Sequence, residues 1–307
     1  GAEHVRMNSS MNPQRRRRTL NPDLESLWCD LLRWLRKAAP LGILFSGGGD
    51  SVLLAQAAAE ALDCHDYILF FIDSELDPPA SRRRATAEAA RLGVPLQIIP
   101  GIETDHPAVS ANLPDRCYHC RKLRHGQVRQ HPALPSRWPL ADGTHLDDLG
   151  ERRPGLQASR EDQILHPLAD TGWTKSAIRQ ALEALGLEAA SVAPSPCLAT
   201  RIPYGQPVRR EDLRRIAQAE ALLQGFGFSC NRVRLYTPQA AVLEVSPQDL
   251  PQAFALRETL LEGIRPLGFA SLALDLEGYF PGKMDRTLSP EPDLFPVVHF
   301  REGTPFE

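Results

Sequence analysis

The chain has 307 residues, enough for two domains of ordinary size, and its 42% hydrophobic and 24% charged residues are typical of a globular protein. A formal net charge of -3 argues against a global attraction to nucleic acid, and the sequence has no apolar run of about 18 residues that would span a membrane. Six cysteines without an apolar leader indicate thiols, metal ligands or catalysts in a reducing cytoplasm, where we expect the protein to act.

Residues 1–20 carry a basic run at 15–18 and little apolar content, which predicts a disordered extension. Residues 21–205 then alternate apolar runs with helix-forming runs. Strands are predicted at 41–45, 67–72, 94–99 and 138–141, and helices at 52–62, 80–92 and 174–185. The alternation predicts an α/β domain whose parallel sheet has helices on both faces.

Residues 193–207 hold four prolines and are predicted to form a loop, with the domain boundary near its end. Residues 206–285 are predicted to form a small α+β domain with an antiparallel sheet, used for substrate binding and oligomerisation. Its helices are expected at 210–223 and 251–263, and its strands at 232–236, 241–245 and 271–276. Residues 286–307 are rich in proline and acidic residues and are predicted to be a loosely ordered tail.

A glycine-rich turn, Phe-Ser-Gly-Gly-Gly-Asp-Ser at 45–51, follows the first strand and opens a helix. Gly47, Gly48 and Gly49 let the backbone approach an anion, and the N–H groups at the helix start point at it. Ser46 and Ser51 add hydroxyl donors, and Asp50 is placed to hold a magnesium ion against phosphates. The alternative is a glycine turn that only caps the helix.

The same run resembles the SGGxDS motif of the PP-loop, or N-type, ATP pyrophosphatases. The resemblance implies a Rossmann-like, adenine nucleotide α-hydrolase-like fold. It also implies cleavage of ATP between the α and β phosphates, which adenylates a substrate and releases pyrophosphate. It places Ser74, after the second strand, at the adenine or ribose. An attached AMP turns a carboxylate oxygen into a good leaving group that a nucleophile can displace.

The cysteines fall into two groups. Cys117 and Cys120 form a CxxC, and Cys197 lies in the proline-rich loop before Arg201, whose guanidinium would favour a reactive thiolate. The alternative is that these three are unlinked thiols. The remaining cysteines have no partner pattern and are interpreted as ordinary small residues: Cys29, Cys64 and Cys230.

Four segments resemble the LarE-type sulfur transferases. They are Ser-Pro-Cys-Leu-Ala-Thr-Arg-Ile-Pro-Tyr-Gly at 195–205, Asn-Leu-Pro-Asp-Arg-Cys at 112–117, Asp-Gly-Thr-His-Leu-Asp-Asp-Leu-Gly at 142–150 with Arg-Pro-Gly at 153–155, and Leu-Asp-Leu-Glu-Gly-Tyr at 274–279. The resemblance covers roughly residues 25–285. His145 stands where the family usually has asparagine, and Phe280 where its members commonly carry arginine.

The resemblance implies a role in making the nickel-pincer nucleotide cofactor of lactate racemase. Such enzymes adenylate a carboxylate of pyridinium-3,5-biscarboxylic acid mononucleotide and convert it to a thiocarboxylate. In one version Cys197 would give up its own sulfur and become dehydroalanine. In the other, Cys117, Cys120 and Cys197 would hold a 4Fe–4S cluster whose open iron carries a sulfide. We predict the cluster, because sacrifice alone leaves the CxxC without a task.

Further site residues are expected in the second domain. Arg232 and Arg234 alternate along one strand face, and the resemblance places them, with Arg201, at the substrate phosphate. It also places Glu220 near the metal as a catalytic acid. The alternative for the arginines is solvated strand charge, and for Glu220 an exposed helix acid.

Two other functions compete with this one. A PP-loop tRNA thiolase also pairs such a loop with three cysteines, but the net charge opposes it. A non-catalytic ATP-binding sensor would not need the cysteines. We expect a homo-oligomer that contacts its mononucleotide substrate and other cofactor-assembly enzymes, and neither nucleic acid nor a membrane.

Overall fold

The computed structural model describes residues 20–150, 154–192 and 196–280. Contacts divide the chain into two units, Gly1–Cys197 with Pro207–Arg210 and Leu198–Gln206 with Glu211–Glu307. The predicted N-terminal extension up to residue 19, the C-terminal tail and Arg153 lie outside the described residues. Within the described part, no helix is both long and apolar enough to cross a bilayer. The predicted domain boundaries stay a prediction.

The strands and helices are numbered in chain order. In the first unit they are α1 Pro22–Ala38, β1 Leu41–Leu44, α2 Gly49–Ala61, β2 Tyr67–Asp73, α3 Ala80–Leu92, β3 Leu96–Pro100, α4 Pro107–Ser110, α5 Arg116–Arg129, β4 Leu140–Ala141, α6 Leu146–Leu149, α7 Pro154–Glu161, α8 Pro167–Asp170 and α9 Lys175–Ala184. They continue with α10 Arg210–Gly225, β5 Asn231–Thr237, β6 Ala240–Val245, α11 Leu250–Ala255, α12 Arg257–Ile264 and β7 Ser271–Leu274.

The sheet of the first unit has the strand order β3-β2-β1-β4, and its described pairs are all parallel. The predicted α/β class is therefore confirmed. The chain runs outward from β1 to β2 and β3 and then returns on the other side of β1 as β4. This reversal leaves a crevice outside the carboxyl ends of β1 and β4, where α/β proteins of this kind bind ligands.

Helix α1 packs beside α2 and was missed by the sequence interpretation. Asn21 caps it by accepting a hydrogen bond from the Leu24 amide at 2.9 Å, and Pro22 occupies its first turn. Its buried face joins a core that includes nearly all of α2. A smaller apolar cluster contains residues of β2, β3, β4 and Val128 of α5. Together these contacts fix α2 and α5, the helices that carry the predicted site residues.

The sheet of the second unit is mixed, and the prediction of an antiparallel sheet was wrong in part. Strands β5 and β6 pair antiparallel across a tight turn, whereas β6 and β7 pair in parallel. The reason is the connection: α11 and α12 lie between β6 and β7 and return the chain to the same end of the sheet. The single helix predicted at 251–263 is divided at Leu256.

Candidate active site

The glycine-rich turn follows β1, at the crevice where the strand order reverses. Gly48 precedes α2, so the first amides of that helix have no helical acceptor. Ser51 Oγ donates to the Gly48 carbonyl at 3.0 Å and accepts from the Ser46 amide at 3.3 Å. The Gly48 amide donates to Ser46 Oγ at 3.3 Å. The two serines therefore hold the loop in shape, and the amides at the start of α2 can meet an anion.

Close packing explains why glycine occupies two of the positions around this loop. Gly47 has a φ of +73°, and a Cβ there would lie 2.7 Å from the backbone N of Ala85 in α3. A Cβ at Gly143, after β4, would lie 2.9 Å from the Ser51 amide nitrogen. The loop is thus held between α3 and the segment that follows β4.

Asp50 is paired with a lysine that the sequence interpretation missed. Lys175 Nζ lies 2.6 and 2.9 Å from the two carboxylate oxygens of Asp50. Lys175 is the first residue of α9, and its backbone N–H donates to Asp147 Oδ2 at 2.7 Å. The geometry therefore adds a cation to the mouth of the phosphate loop. One partial indication of Lys175 was present in the sequence: it directly follows Thr174, which caps the start of a predicted helix.

The segment after β4 carries a buried hydrogen-bond network. Asp142 Oδ1 accepts from His166 Nδ1 at 2.8 Å and from the Thr144 amide at 3.0 Å, and Arg121 of α5 lies 3.3 Å from Oδ2. Burial would raise the pKa of Asp142, but the His166 hydrogen bond and the Arg121 charge outweigh it and lower that pKa. Asp142 thereby ties the helix of the CxxC to the edge of the phosphate loop.

His145, which replaces the asparagine usual in the family, and Ser74, which is predicted to contact the nucleotide, each form a hydrogen bond with a residue nearby in sequence. His145 is 7% exposed, and its backbone N–H donates to Asp148 Oδ2 at 3.1 Å at the start of α6. Ser74 lies beyond the carboxyl end of β2 and its hydroxyl accepts from the Leu76 amide at 3.2 Å. Because β1 and β2 are parallel, Ser74 after β2 and the phosphate loop after β1 lie at the same edge of the sheet.

Cys117 and Cys120 lie on α5, in a regular helix rather than a short turn. Cys117 is exposed, whereas burial raises the pKa of Cys120 to about 12, with Cys197 adding to the shift and Arg124 opposing it. Cys120 is therefore a protonated thiol at neutral pH. The charge of Cys197 contributes to the pKa of both Cys120 and Arg124, so these three residues belong to one electrostatic neighbourhood.

Arg124 is the second functional candidate missed by the sequence interpretation. Its guanidinium pairs with Asp77 at 2.9 Å and with the buried carboxylate of Glu103. Burial would lower the pKa of Arg124, but Asp77, Cys120, Glu103 and Cys197 outweigh it, so the pKa stands well above the usual value. Arg124 is therefore a permanent cation whose charge is balanced by Asp77 and Glu103, whereas the sequence had suggested Arg201 as the cation near Cys197.

The three cysteines do not form a ready ligand set for an iron–sulfur cluster. Within the described ranges, no three His, Cys, Asp or Glu side chains are grouped closely enough to hold a metal ion. The arrangement of these side chains is therefore not that of a preformed metal site, and the predicted cluster stays a prediction.

In the second unit, the predicted substrate residues are engaged with one another. Arg201 is 1% exposed and contacts Glu220 through Nε at 2.8 Å and Nη2 at 3.1 Å. Glu220 also accepts from the Val233 amide at 3.1 Å. Arg234 pairs with Glu244 at 2.7 Å. Arg201, Glu220 and Arg234 thus have buried or partly buried partners that hold this part of the unit together.

Arg232 has a different environment. Its guanidinium lies 4.7 Å from the ring centroid of Tyr279, and Nη1 donates to the Asn231 carbonyl at 2.6 Å. Burial and then the charge of Arg201 lower the pKa of Arg232. An anion bound beside Arg232 would offset this unfavourable like-charge effect. Arg232 is therefore the better candidate for a phosphate contact in this unit.

Three curated proteins are similar to the chain over most of its length, although no protein-family model matches it. An uncharacterized protein of Synechocystis sp. is 33% identical over 251 residues, which cover 80% of this chain and 92% of that protein. The pyridinium-3,5-bisthiocarboxylic acid mononucleotide synthase of Lactiplantibacillus plantarum is 26% identical over 261 residues, which cover 84% of this chain and 94% of that protein. An uncharacterized protein of Methanocaldococcus jannaschii is 29% identical over 238 residues, which cover 77% of this chain and 89% of that protein.

Proposed function

The chain belongs to the LarE-type family of sulfur transferases, and we propose that it uses ATP to convert a carboxylate of pyridinium-3,5-biscarboxylic acid mononucleotide into a thiocarboxylate. The observation that carries the proposal is the position of the phosphate loop. It lies at the crevice between β1 and β4, in the same unit as Arg124, Cys120 and Cys197. An anion site and a sulfur-bearing site are what adenylation followed by thiolation needs.

The first half-reaction would take place at the phosphate loop. Amides at the start of α2 bind the phosphates, and Lys175 supplies a positive charge beside them. Asp50 would hold magnesium, which binds through one or two carboxylates and otherwise through water and phosphate oxygens. The substrate carboxylate attacks the α-phosphate, the bond to the β-phosphate breaks, and pyrophosphate leaves with its charge stabilised by these groups.

The second half-reaction replaces AMP with sulfur. A thiolate attacks the carbonyl carbon of the acyl adenylate, and AMP leaves with the former carboxylate oxygen. We assign this attack to Cys197, because it lies in the same unit as the phosphate loop, whereas burial raises the pKa of the Cys120 thiol to about 12 and opposes its thiolate form. If Cys197 is the sulfur donor, loss of its Cα proton and cleavage of its C–S bond release the thiocarboxylate and leave dehydroalanine.

The mononucleotide phosphate requires a cation, and Arg232 is proposed to supply it. Arg201 pairs with Glu220 and Arg234 pairs with Glu244, so we propose that these residues hold the structure of this part of the unit. The 4Fe–4S cluster, the homo-oligomer and the assembly partners stay predictions.

Product analysis tests the proposal. Wild-type protein with ATP, magnesium and the biscarboxylic mononucleotide should form AMP, pyrophosphate and a product heavier by the difference between sulfur and oxygen. Asp50→Ala should reduce AMP formation by about 100- to 1000-fold, as loss of a preorganised electrostatic group does. A tRNA thiolase would need RNA for AMP release, and an ATP sensor would release none. Either of these results would reject the proposal.

The fate of Cys197 is read from the same reaction. Intact-mass measurement after one turnover detects dehydroalanine as the loss of hydrogen sulfide, and iron and sulfide analysis after anaerobic reconstitution detects a cluster. Matched controls are alanine variants of the unpatterned cysteines, Cys29, Cys64 and Cys230, which should leave both readouts unchanged. Thiolation that continues at the wild-type rate in Cys197→Ala would remove Cys197 from the mechanism.

A further inference from the structure

A run of three arginines opens α3, the helix on which the phosphate loop packs. Arg82 is exposed and paired with Asp73 at 2.6 Å, and Arg83 is exposed. Arg84 is half-buried, and Nη2 donates to Ser81 Oγ at 3.1 Å. The three neighbours therefore differ in environment, and only the third is turned toward the interior of the described structure.

The position of Arg84 is set by the contact between α3 and Gly47. The backbone atom of α3 nearest to a Cβ at Gly47 is the Ala85 nitrogen, at 2.7 Å, and that nitrogen is bonded to the carbonyl carbon of Arg84. The Arg84 backbone is thus next to the phosphate loop. Its side chain is long enough to reach an anion bound there.

Among the described residues, no carboxylate forms an ion pair with Arg84. Its Nε is buried and has no hydrogen-bond partner in the part of the chain that the structure describes. Ser81, the partner of Nη2, is neutral, and the nearest charge effect on Arg84 comes from Arg83. Burial and then this like charge lower the pKa of Arg84. A guanidinium that is partly desolvated and has an unused donor is stabilised when an anion binds beside it.

From this geometry we propose that Arg84 binds the pyrophosphate part of ATP at the phosphate loop. The inference rests on the proposed function, because it assumes that the loop holds ATP. Cleavage between the α and β phosphates places new charge on the leaving pyrophosphate, and a fixed guanidinium beside the loop stabilises that charge. The AMP part stays with the acyl group and does not require Arg84.

The test compares Arg84→Gln with Arg83→Gln, its exposed neighbour on the same helix. Titration calorimetry measures the binding of inorganic pyrophosphate, of AMP and of an ATP analogue with a methylene between the α and β phosphates. We expect Arg84→Gln to weaken pyrophosphate and the ATP analogue by about 10- to 100-fold, the usual effect of losing a charged hydrogen bond. AMP binding should be unchanged, and Arg83→Gln should match wild type for every ligand.

Two further measurements keep the outcome decisive. Thermal unfolding without ligand shows whether Arg84→Gln is folded, and Arg84→Lys, which keeps the charge, should recover part of the lost affinity. Equal pyrophosphate binding in wild type and Arg84→Gln would overturn the inference, as would a parallel loss of AMP binding. A wild-type protein that binds neither ATP analogue nor pyrophosphate would instead refute the proposed function, and the inference with it.

Discussion

Replacing Lys175 with glutamine separates a catalytic role of this residue from a structural one. Its ammonium group contacts both oxygens of Asp50, at 2.6 and 2.9 Å, but the lysine and aspartate side chains are 50% and 28% exposed. Ion pairs with such exposure contribute about 0–1 kcal/mol to folding. The hydrogen bond to Asp147 comes from the backbone of Lys175 and survives the substitution. The free energy of unfolding should therefore fall by less than about 1 kcal/mol.

Catalysis should fall much further than stability. Loss of a fixed charge aimed at a reacting phosphate raises the barrier by about 2.7–4 kcal/mol, or roughly 100- to 1000-fold in rate. The assay is AMP release at saturating ATP, beside urea unfolding of the same preparation. Arg179→Gln is the control on the same helix, since Arg179 is exposed and pairs with Glu183 at 3.4 Å. AMP release by Lys175→Gln within about threefold of wild type would refute the catalytic role, because it lies far below the expected loss.

Three more substitutions test other parts of the account. Arg232→Ala should weaken the pyridinium mononucleotide by about 10- to 100-fold in calorimetry; a similar loss for ATP would contradict a phosphate contact. The pKa of Asp142 is lower in the folded protein than in the unfolded chain. The Asp142 carboxylate therefore contributes fully to the free energy of unfolding above its unfolded pKa, and this contribution is lost as pH falls through the folded pKa. Asp142→Asn should thus destabilise the protein by about 1–3 kcal/mol at pH 7, and urea unfolding should show this difference shrinking below about pH 4; a pH-independent difference would argue against it. Gly47 has a φ of +73°, and a Cβ there would meet the Ala85 backbone, so Gly47→Ala should strain the phosphate loop by about 1–3 kcal/mol and lower the affinity for ATP. Unchanged ATP affinity would show that the loop can accommodate a Cβ at this position.

The elements that follow from local pattern were predictable from the sequence. Strand β2 and helix α3 agree with the prediction almost to the residue, because an apolar run and a helix-forming run are each bounded by clear signals. Gly93 ends α3 in the left-handed conformation that is typical of a glycine at a helix C-terminus. The parallel β7 was not foreseen, since the direction of a strand depends on its connection and not on its own residues.

The site was less predictable, because partners distant in sequence decide what each charge does. Lys175 is 125 residues from Asp50 in the sequence, and no local motif predicts the contact between them. Arg124 reaches Glu103 and Asp77 only because α5 packs beside the carboxyl ends of β2 and β3. The substrate role of Arg234 stays a prediction, but the pairing of its guanidinium with Glu244 was visible only in the fold. Local sequence shows which side chains are charged, and the fold determines which of those charges are neutralised.

The transfer of oxygen from substrate to AMP tests the central claim, that this protein activates a carboxylate by adenylation before sulfur replaces the oxygen. The biscarboxylic mononucleotide is labelled with ¹⁸O in its carboxylates and converted with ATP, and AMP is then examined by mass spectrometry. Adenylation predicts one labelled oxygen in the phosphate of each AMP formed per thiocarboxylate. Unlabelled AMP, or ADP as the nucleotide product, would contradict the account.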